Sequence, residues 1–243
     1  INSDGSLAEN CGNGLRCATL SIQQRFDVAL SHGSGAIDIV ILGEQARPVT
    51  ATLLEASGSK IASIEMPTPT CNESVSWYAA GKDHLTQLGE EHGLEFTAIH
   101  AAEIGNPHLI GVVDAPLDTT MIRTIGPAIQ TSPSWDGINL HLVWEKEISD
   151  KDQGLARQTL RQPIGALCEA LVWERGAGET QACGSGACAI AACWLATDSF
   201  LSRDSWVAVD MPGGRLYCYQ DQADAPIRLA GPAELVFQGQ LQL

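Results

Sequence analysis

Between residues 13 and 30 the apolar side chains Leu15, Ala18, Leu20, Ile22 and Phe26 fall at helical spacing, which predicts a helix there. Alternation then takes over, and residues 36–41 and 49–54 read as strands. The run Met66-Pro67-Thr68-Pro69-Thr70 interrupts regular structure. Strand-like runs return at residues 96–100, 109–113 and 140–144. A second helix is expected over residues 184–196, where small and apolar residues follow one another without a polar face. Strands at 205–210, 215–220 and 234–238 close the chain.

The two helices share an opening. Glu9-Asn10-Cys11-Gly12-Asn13-Gly14 precedes the first, and Thr180-Gln181-Ala182-Cys183-Gly184-Ser185-Gly186 precedes the second. Each is Cys-Gly-x-Gly at a helix start, an internal echo that suggests a duplicated half-fold. A helix N-terminus has unpaired N–H donors and a partial positive charge, so it attracts an anion. Glycines there let a ligand approach the backbone. A cysteine at such a start should have its thiolate stabilised and its pKa lowered. Two such starts face to face could hold an amino acid's carboxylate and set a sulfur on either side of its α-carbon, one taking a proton and the other giving one. Cys17, Cys188 and Cys193, inside the helices, and Cys71, Cys168 and Cys218 read as packing residues.

Composition narrows the classes. The 243 residues carry 14 Lys and Arg against 29 Asp and Glu, a net charge of −15, which disfavours a nucleic-acid partner. No apolar run is long enough to span a bilayer, and the chain opens without the pattern of a signal peptide. Eight cysteines without a Cys-x-x-Cys pair suggest neither a disulfide scaffold nor structural zinc, and point to a reducing, cytoplasmic setting. There is no Walker loop and no dinucleotide-binding glycine signature, and no lysine is marked as a pyridoxal anchor. Neither a cofactor nor a metal is therefore expected.

These motifs resemble the diaminopimelate epimerase family. Asn2-Ser3-Asp4-Gly5-Ser6 with residues 9–17 looks like its first active-site motif, and residues 174–188 like its second. Gly105-Asn106-Pro107-His108 resembles a third element and Ile138-Asn139 a fourth. The resemblance implies an α/β (α+β) fold of two pseudo-symmetric lobes, each with mixed and antiparallel strands wrapped around a central helix, and an active site in the cleft between them. The lobes would be residues 1–72 with 233–243, and residues 73–232. It implies that Cys11 and Cys183 are the acid/base pair, with His108 and Glu174 tuning them. Asn2, Gly12, Asn13, Asn106, Asn139, Glu174, Arg175, Gly184 and Ser185 would hold the substrate.

The implied reaction interconverts LL- and meso-diaminopimelate without a cofactor, towards lysine and peptidoglycan precursors. The implied partner is a small diamino diacid, with no nucleic acid or membrane, and a homodimer is compatible with the family. The fork of Arg175 suits a carboxylate. Family members carry a further segment ahead of the first motif, with a His-Gly-x-Gly-Asn-Asp-Phe stretch. Two alternatives therefore stay open: a related amino-acid racemase, and a truncated, non-catalytic binding remnant. The proline-racemase type has Cys-Gly-His-Gly where this chain has Cys11-Gly12-Asn13-Gly14. After Asn139, the run Leu140-His141-Leu142-Val143 departs from the family's small-residue pattern, and His141 has no assigned role.

Overall fold

The helical spacing after Cys11 becomes α1 (Gly12–Phe26), and the alternating runs behind it become β1 (Gly35–Ile41) and β2 (Arg47–Ala56). The computed structural model describes residues 11–26, 35–41, 47–56, 59–132, 135–198 and 201–239. Asn2, the rest of the first motif through Asn10, and the expected helical residues 27–30 lie outside them. The chain continues through β3 (Ser59–Met66), β4 (Thr70–Cys71), α2 (Tyr78–His92), β5 (Ala98–Glu103) and β6 (Pro107–Val112). Then come α3 (Thr119–Ile129), β7 (Thr131–Ser132), β8 (Trp135–Asp136), β9 (Asn139–Glu145) and α4 (Asp150–Leu160). The last elements are β10 (Ile164–Glu174), β11 (Gly178–Glu179), α5 (Gly184–Thr197), β12 (Trp206–Met211), β13 (Gly214–Tyr219) and β14 (Ile227–Pro232).

One mixed sheet runs through the molecule in the order β1-β2-β3-β14-β13-β12-β10-β9-β6-β5-β4, with β11 on β10 and a separate β7–β8 pair. Most neighbours are antiparallel; β6/β9 and β10/β12 are parallel. Helix α5 touches β12, β13 and β14 and also β4, β5 and β6, which stand well apart in that order, so the sheet wraps around it. Its residues from Gly184 to Leu195 are all buried. That is why no polar face is needed: a helix enclosed on every side is apolar on every side. Helix α1 packs against β2, β3 and β14 through one face, burying Leu15, Arg16, Thr19 and Leu20. The result is an α+β molecule with a central helix at two places along one sheet. The expected lobe division crosses a ladder, since β14 pairs with β3 from Ile227↔Met66 to Pro232↔Ile61.

Several expectations need correction. Residues 234–238 are not a strand: the last ladder bond runs from the Ala233 N–H to the Lys60 carbonyl, and Leu235, Val236 and Phe237 are exposed. Alternation makes a strand only where a sheet edge is available, and β3 has already paired with β2 and β14. Cys17, expected to pack, is exposed because it lies off the buried face of α1. Helices α2, α3 and α4 and strands β3 and β10 were not anticipated. Their signals are local: α3 buries Ile122, Ile125 and Ile129 at helical spacing, and α4 opens with a Ser149–Asp152 capping box.

Two helical glycines give opposite expectations. A Cβ on Gly126 in α3 would lie 2.4 Å from Trp173 Cγ, so Gly126→Ala overpacks the core and should cost about 1–3 kcal/mol. Gly154 in α4 faces open space, so Gly154→Ala should stabilise by about 0.5–1 kcal/mol. Urea unfolding of both variants, with the slopes compared, checks the pair.

Candidate active site

The site is built where the two echoed helix starts meet. A Cβ placed on Gly12 would lie 3.5 Å from Gly184 Cα, and one on Gly184 would lie 3.3 Å from Gly12 Cα. Each would also press on Leu229 Cδ2 of β14, at 2.7 and 2.9 Å. No larger residue fits at either position without separating the helices. Asn13 bridges the junction: its Nδ2 donates to the Ala182 carbonyl at 3.2 Å, and its Oδ1 accepts from Arg16 Nη1 at 3.0 Å. The residues expected from the two motifs are thus neighbours in space.

The two cysteines occupy equivalent places in different surroundings. Cys11 precedes α1; its carbonyl accepts from the Leu15 N–H at 2.9 Å and its Sγ from the Gly14 N–H at 3.3 Å. The side chain is exposed. Cys183 caps α5 in extended backbone and is buried, with Ser185 Oγ 3.6 Å from its sulfur. Burial pushes the Cys183 thiol well above its usual range, and the negative charge of Glu174 adds to this. Hydrogen bonding from Ser185 works the other way without prevailing. The expected lowering is therefore reversed at Cys183. Removal of water from a thiolate outweighs the helix end. Cys183 is held as a thiol.

Glu174 ends β10 and accepts a short hydrogen bond from the Thr180 hydroxyl, across the β10–β11 turn. Arg175, next in sequence, is exposed, and its backbone N–H donates to Asn139 Oδ1 at 3.0 Å. Asn139 also donates from Nδ2 to the Pro107 carbonyl at 2.9 Å. Its carboxamide thus ties the start of β6 to the end of β10, bracing the residues expected to hold substrate.

A buried polar chain runs from β9 to the start of α5. Asn106 Nδ2 donates to Ser185 Oγ at 3.4 Å, and Asn106 Oδ1 lies 2.9 Å from His108 Nε2. A carboxamide oxygen only accepts, so His108 carries its proton on Nε2. Its Nδ1 is then an acceptor, and His141 Nε2, 2.9 Å away, must be the donor. That leaves His141 Nδ1 as a bare lone pair, buried with no hydrogen-bond partner in the protein. Both rings are fully enclosed and stacked with centroids 5.2 Å apart. Burial lowers both pKa values, that of His141 to about 3; at His108 the charges of His141 and Arg175 add to the effect. His141 was the residue without a role in the sequence. Its one signal there was the break in pattern after Asn139.

Two neutral buried imidazoles make the fold acid-sensitive. Below about pH 6.5 the unfolded chain binds protons at these positions and the folded chain does not, so stability falls with pH down to about pH 3 for His141. The slope should approach about 1.4 kcal/mol per pH unit for each ring. His141→Gln, which can still donate to His108, should flatten it; urea unfolding at pH 7.5 and pH 5 with a chelator present measures the difference.

Comparison with known proteins agrees with this arrangement. The diaminopimelate epimerase family model matches residues 100–236, more than half of the chain. A diaminopimelate epimerase from Stutzerimonas stutzeri is 30% identical, with all of this chain aligned to 77% of that protein. One from Teredinibacter turnerae is also 30% identical, with the same coverage. In fold, the chain is similar to a solved predicted epimerase from Pseudomonas aeruginosa, with a TM-score of 0.58, 16% identity, and 95% of this chain and 76% of that one covered. The chain belongs to the diaminopimelate epimerase family.

Proposed function

We propose that this protein is a cofactor-independent epimerase that interconverts LL- and meso-diaminopimelate, a step towards lysine and peptidoglycan precursors, by moving one α-proton between Cys11 and Cys183. The observation that carries the reading is the glycine-to-glycine approach of the two cysteine-capped helix starts. Two helix N-termini pointed at one spot repel each other through their partial positive charges. A bound carboxylate turns that repulsion into attraction, since the free N–H groups at both starts can donate to it. Developing charge on the carboxylate during α-proton removal is stabilised by the same donors.

The asymmetry of the thiols suggests a division of labour. Cys183, kept protonated by burial and by Glu174, is suited to give a proton in the direction that begins with its thiol. Cys11, exposed at the mouth of the site, would receive the substrate's proton as thiolate. Ser185 and Asn106, linked to each other, and the backbone at Gly12, Asn13 and Gly184 would bind the reacting end of the substrate. Arg175 is free to meet the distal carboxylate. Asn139 is braced on both sides and would act by holding Pro107 and Arg175 in place. His108, with Nε2 on Asn106 and Nδ1 on His141, would orient Asn106.

The family relationship supports this substrate over that of a related racemase, and Asn13 stands where the proline-racemase type has histidine. The dimer is part of the same reading and rests on the family alone. No helix among the described residues is long and apolar enough to cross a membrane.

In heavy water, diaminopimelate should acquire deuterium at its α-carbon when incubated with the protein and no added cofactor. Cys11→Ala and Cys183→Ala should each lower turnover by about 10²–10⁴-fold. Unchanged α-exchange in either variant would sink the two-thiol scheme, and tight binding without exchange by the native chain would favour a binding remnant. Gly184→Ala should fold yet lose most activity by forcing the helix starts apart, a change visible as a fall in kcat with Cys183 still titratable by a thiol reagent after unfolding.

A further inference from the structure

The buried end of the site holds more than the proposed reaction requires. His108, His141 and Cys183 bring a ring nitrogen each and a sulfur to within 4.8 Å of one another, and all three side chains are buried. We propose that these three residues form a regulatory binding site for a borderline transition-metal ion, zinc above all, whose occupation blocks the thiol at position 183. The metal binding stands independently of the epimerase reading; the inhibition rests on it.

The donor set selects the metal. Two imidazoles and a thiolate suit zinc and its neighbours, whereas magnesium and calcium need oxygen ligands. Zinc–nitrogen bonds of about 2.0–2.1 Å and a zinc–sulfur bond of about 2.3 Å would set the donors about 3.3–3.7 Å apart in a tetrahedron. The present His108 Nδ1 to His141 Nε2 separation is 2.9 Å. Ring movements on the order of 1 Å therefore create the geometry. The outer partner of one ligand is already in position: His108 Nε2–H points at Asn106 Oδ1, 2.9 Å away, so that Nδ1 is the ligating nitrogen. Burial keeps both rings neutral, with lone pairs available. Three protein ligands leave the fourth position to water or to a ligand in the cleft.

Binding moves two protons. Cys183 gives up its thiol proton to solvent as the sulfur–metal bond forms, and His141 transfers its proton from Nε2 to Nδ1. His141 Nδ1 has no partner in the protein, so that N–H is left unsatisfied. The affinity should accordingly lie on the order of micromolar, weaker than for a closed structural zinc site. A thiolate bound to zinc cannot donate a proton to the substrate's α-carbon.

The test uses the whole chain with a non-chelating reductant. Equilibrium dialysis should find one zinc per chain, with about one proton released. Cobalt(II) in its place should give intense tetrahedral visible bands and a near-ultraviolet thiolate-to-cobalt band. Cys183→Ser should remove the thiolate band, Cys11→Ser should retain it, and His141→Gln should weaken binding by at least about 10-fold. The proposal is overturned if no saturable binding occurs, if the band survives in Cys183→Ser, or if His141→Gln binds as tightly as the native chain. Circular dichroism confirms that the variants fold, and the near-isosteric Cys183→Ser decides the matter alone should His141→Gln fail to fold. Metal-free enzyme without α-exchange strikes the epimerase reading and leaves the metal site standing. An active enzyme that takes up no zinc does the reverse.

Discussion

Two helix N-termini brought into van der Waals contact are the constraint on which the rest of this structure depends. Like ends of helix dipoles do not approach of their own accord. Here the sheet enforces the approach: α5 is enclosed by strands from both arms of the sheet, and α1 is laid on β2, β3 and β14, with Leu229 of β14 beneath both helix starts. Only residues without a Cβ leave room at Gly12 and Gly184. The energy stored in packing thus maintains a locally unfavourable electrostatic arrangement, which becomes favourable when an anion enters.

That arrangement also explains why two copies of one motif behave differently. The Cys-Gly-x-Gly sequence sets an identical local frame, with sulfur at the helix cap and free N–H groups behind it. Cys11 begins a helix buried on one face and remains exposed, whereas Cys183 begins a helix buried all round. The thiol of Cys183 loses more by leaving water than it gains from the helix end, and Glu174 adds to the bias. A pair of unlike thiols is what a one-proton transfer between opposite faces requires, since one must start charged and the other neutral.

The polar chain His141–His108–Asn106–Ser185 connects the sheet to the cap of α5 through side chains alone. Its tautomers follow from a single acceptor, the carboxamide oxygen of Asn106, which decides the proton on His108 and through it the proton on His141. His141 presses on Gly186, where a Cβ would lie 2.1 Å from its Cε1, so the second glycine of the α5 motif makes room for this ring as the first makes room for α1. The glycines that open a helix to a ligand are here also sites of close packing.

The sequence by itself determined the two helix starts, the pairing of their cysteines as a motif, most of the strands that alternate, and the family. Those properties are local, set by spacing, glycine and small side chains along a short stretch. The single sheet wrapped around α5, the failure of residues 234–238 to become a strand, and the pairing of β14 with β3 depended on which edges were free after the rest had paired. Tertiary structure alone raised the pKa of Cys183, where the helix-start rule pointed downward, because the cost of burial is a property of surroundings and not of neighbours in sequence. It alone gave His141 partners, since positions 108, 141 and 183 meet only when β6, β9 and the start of α5 pack together.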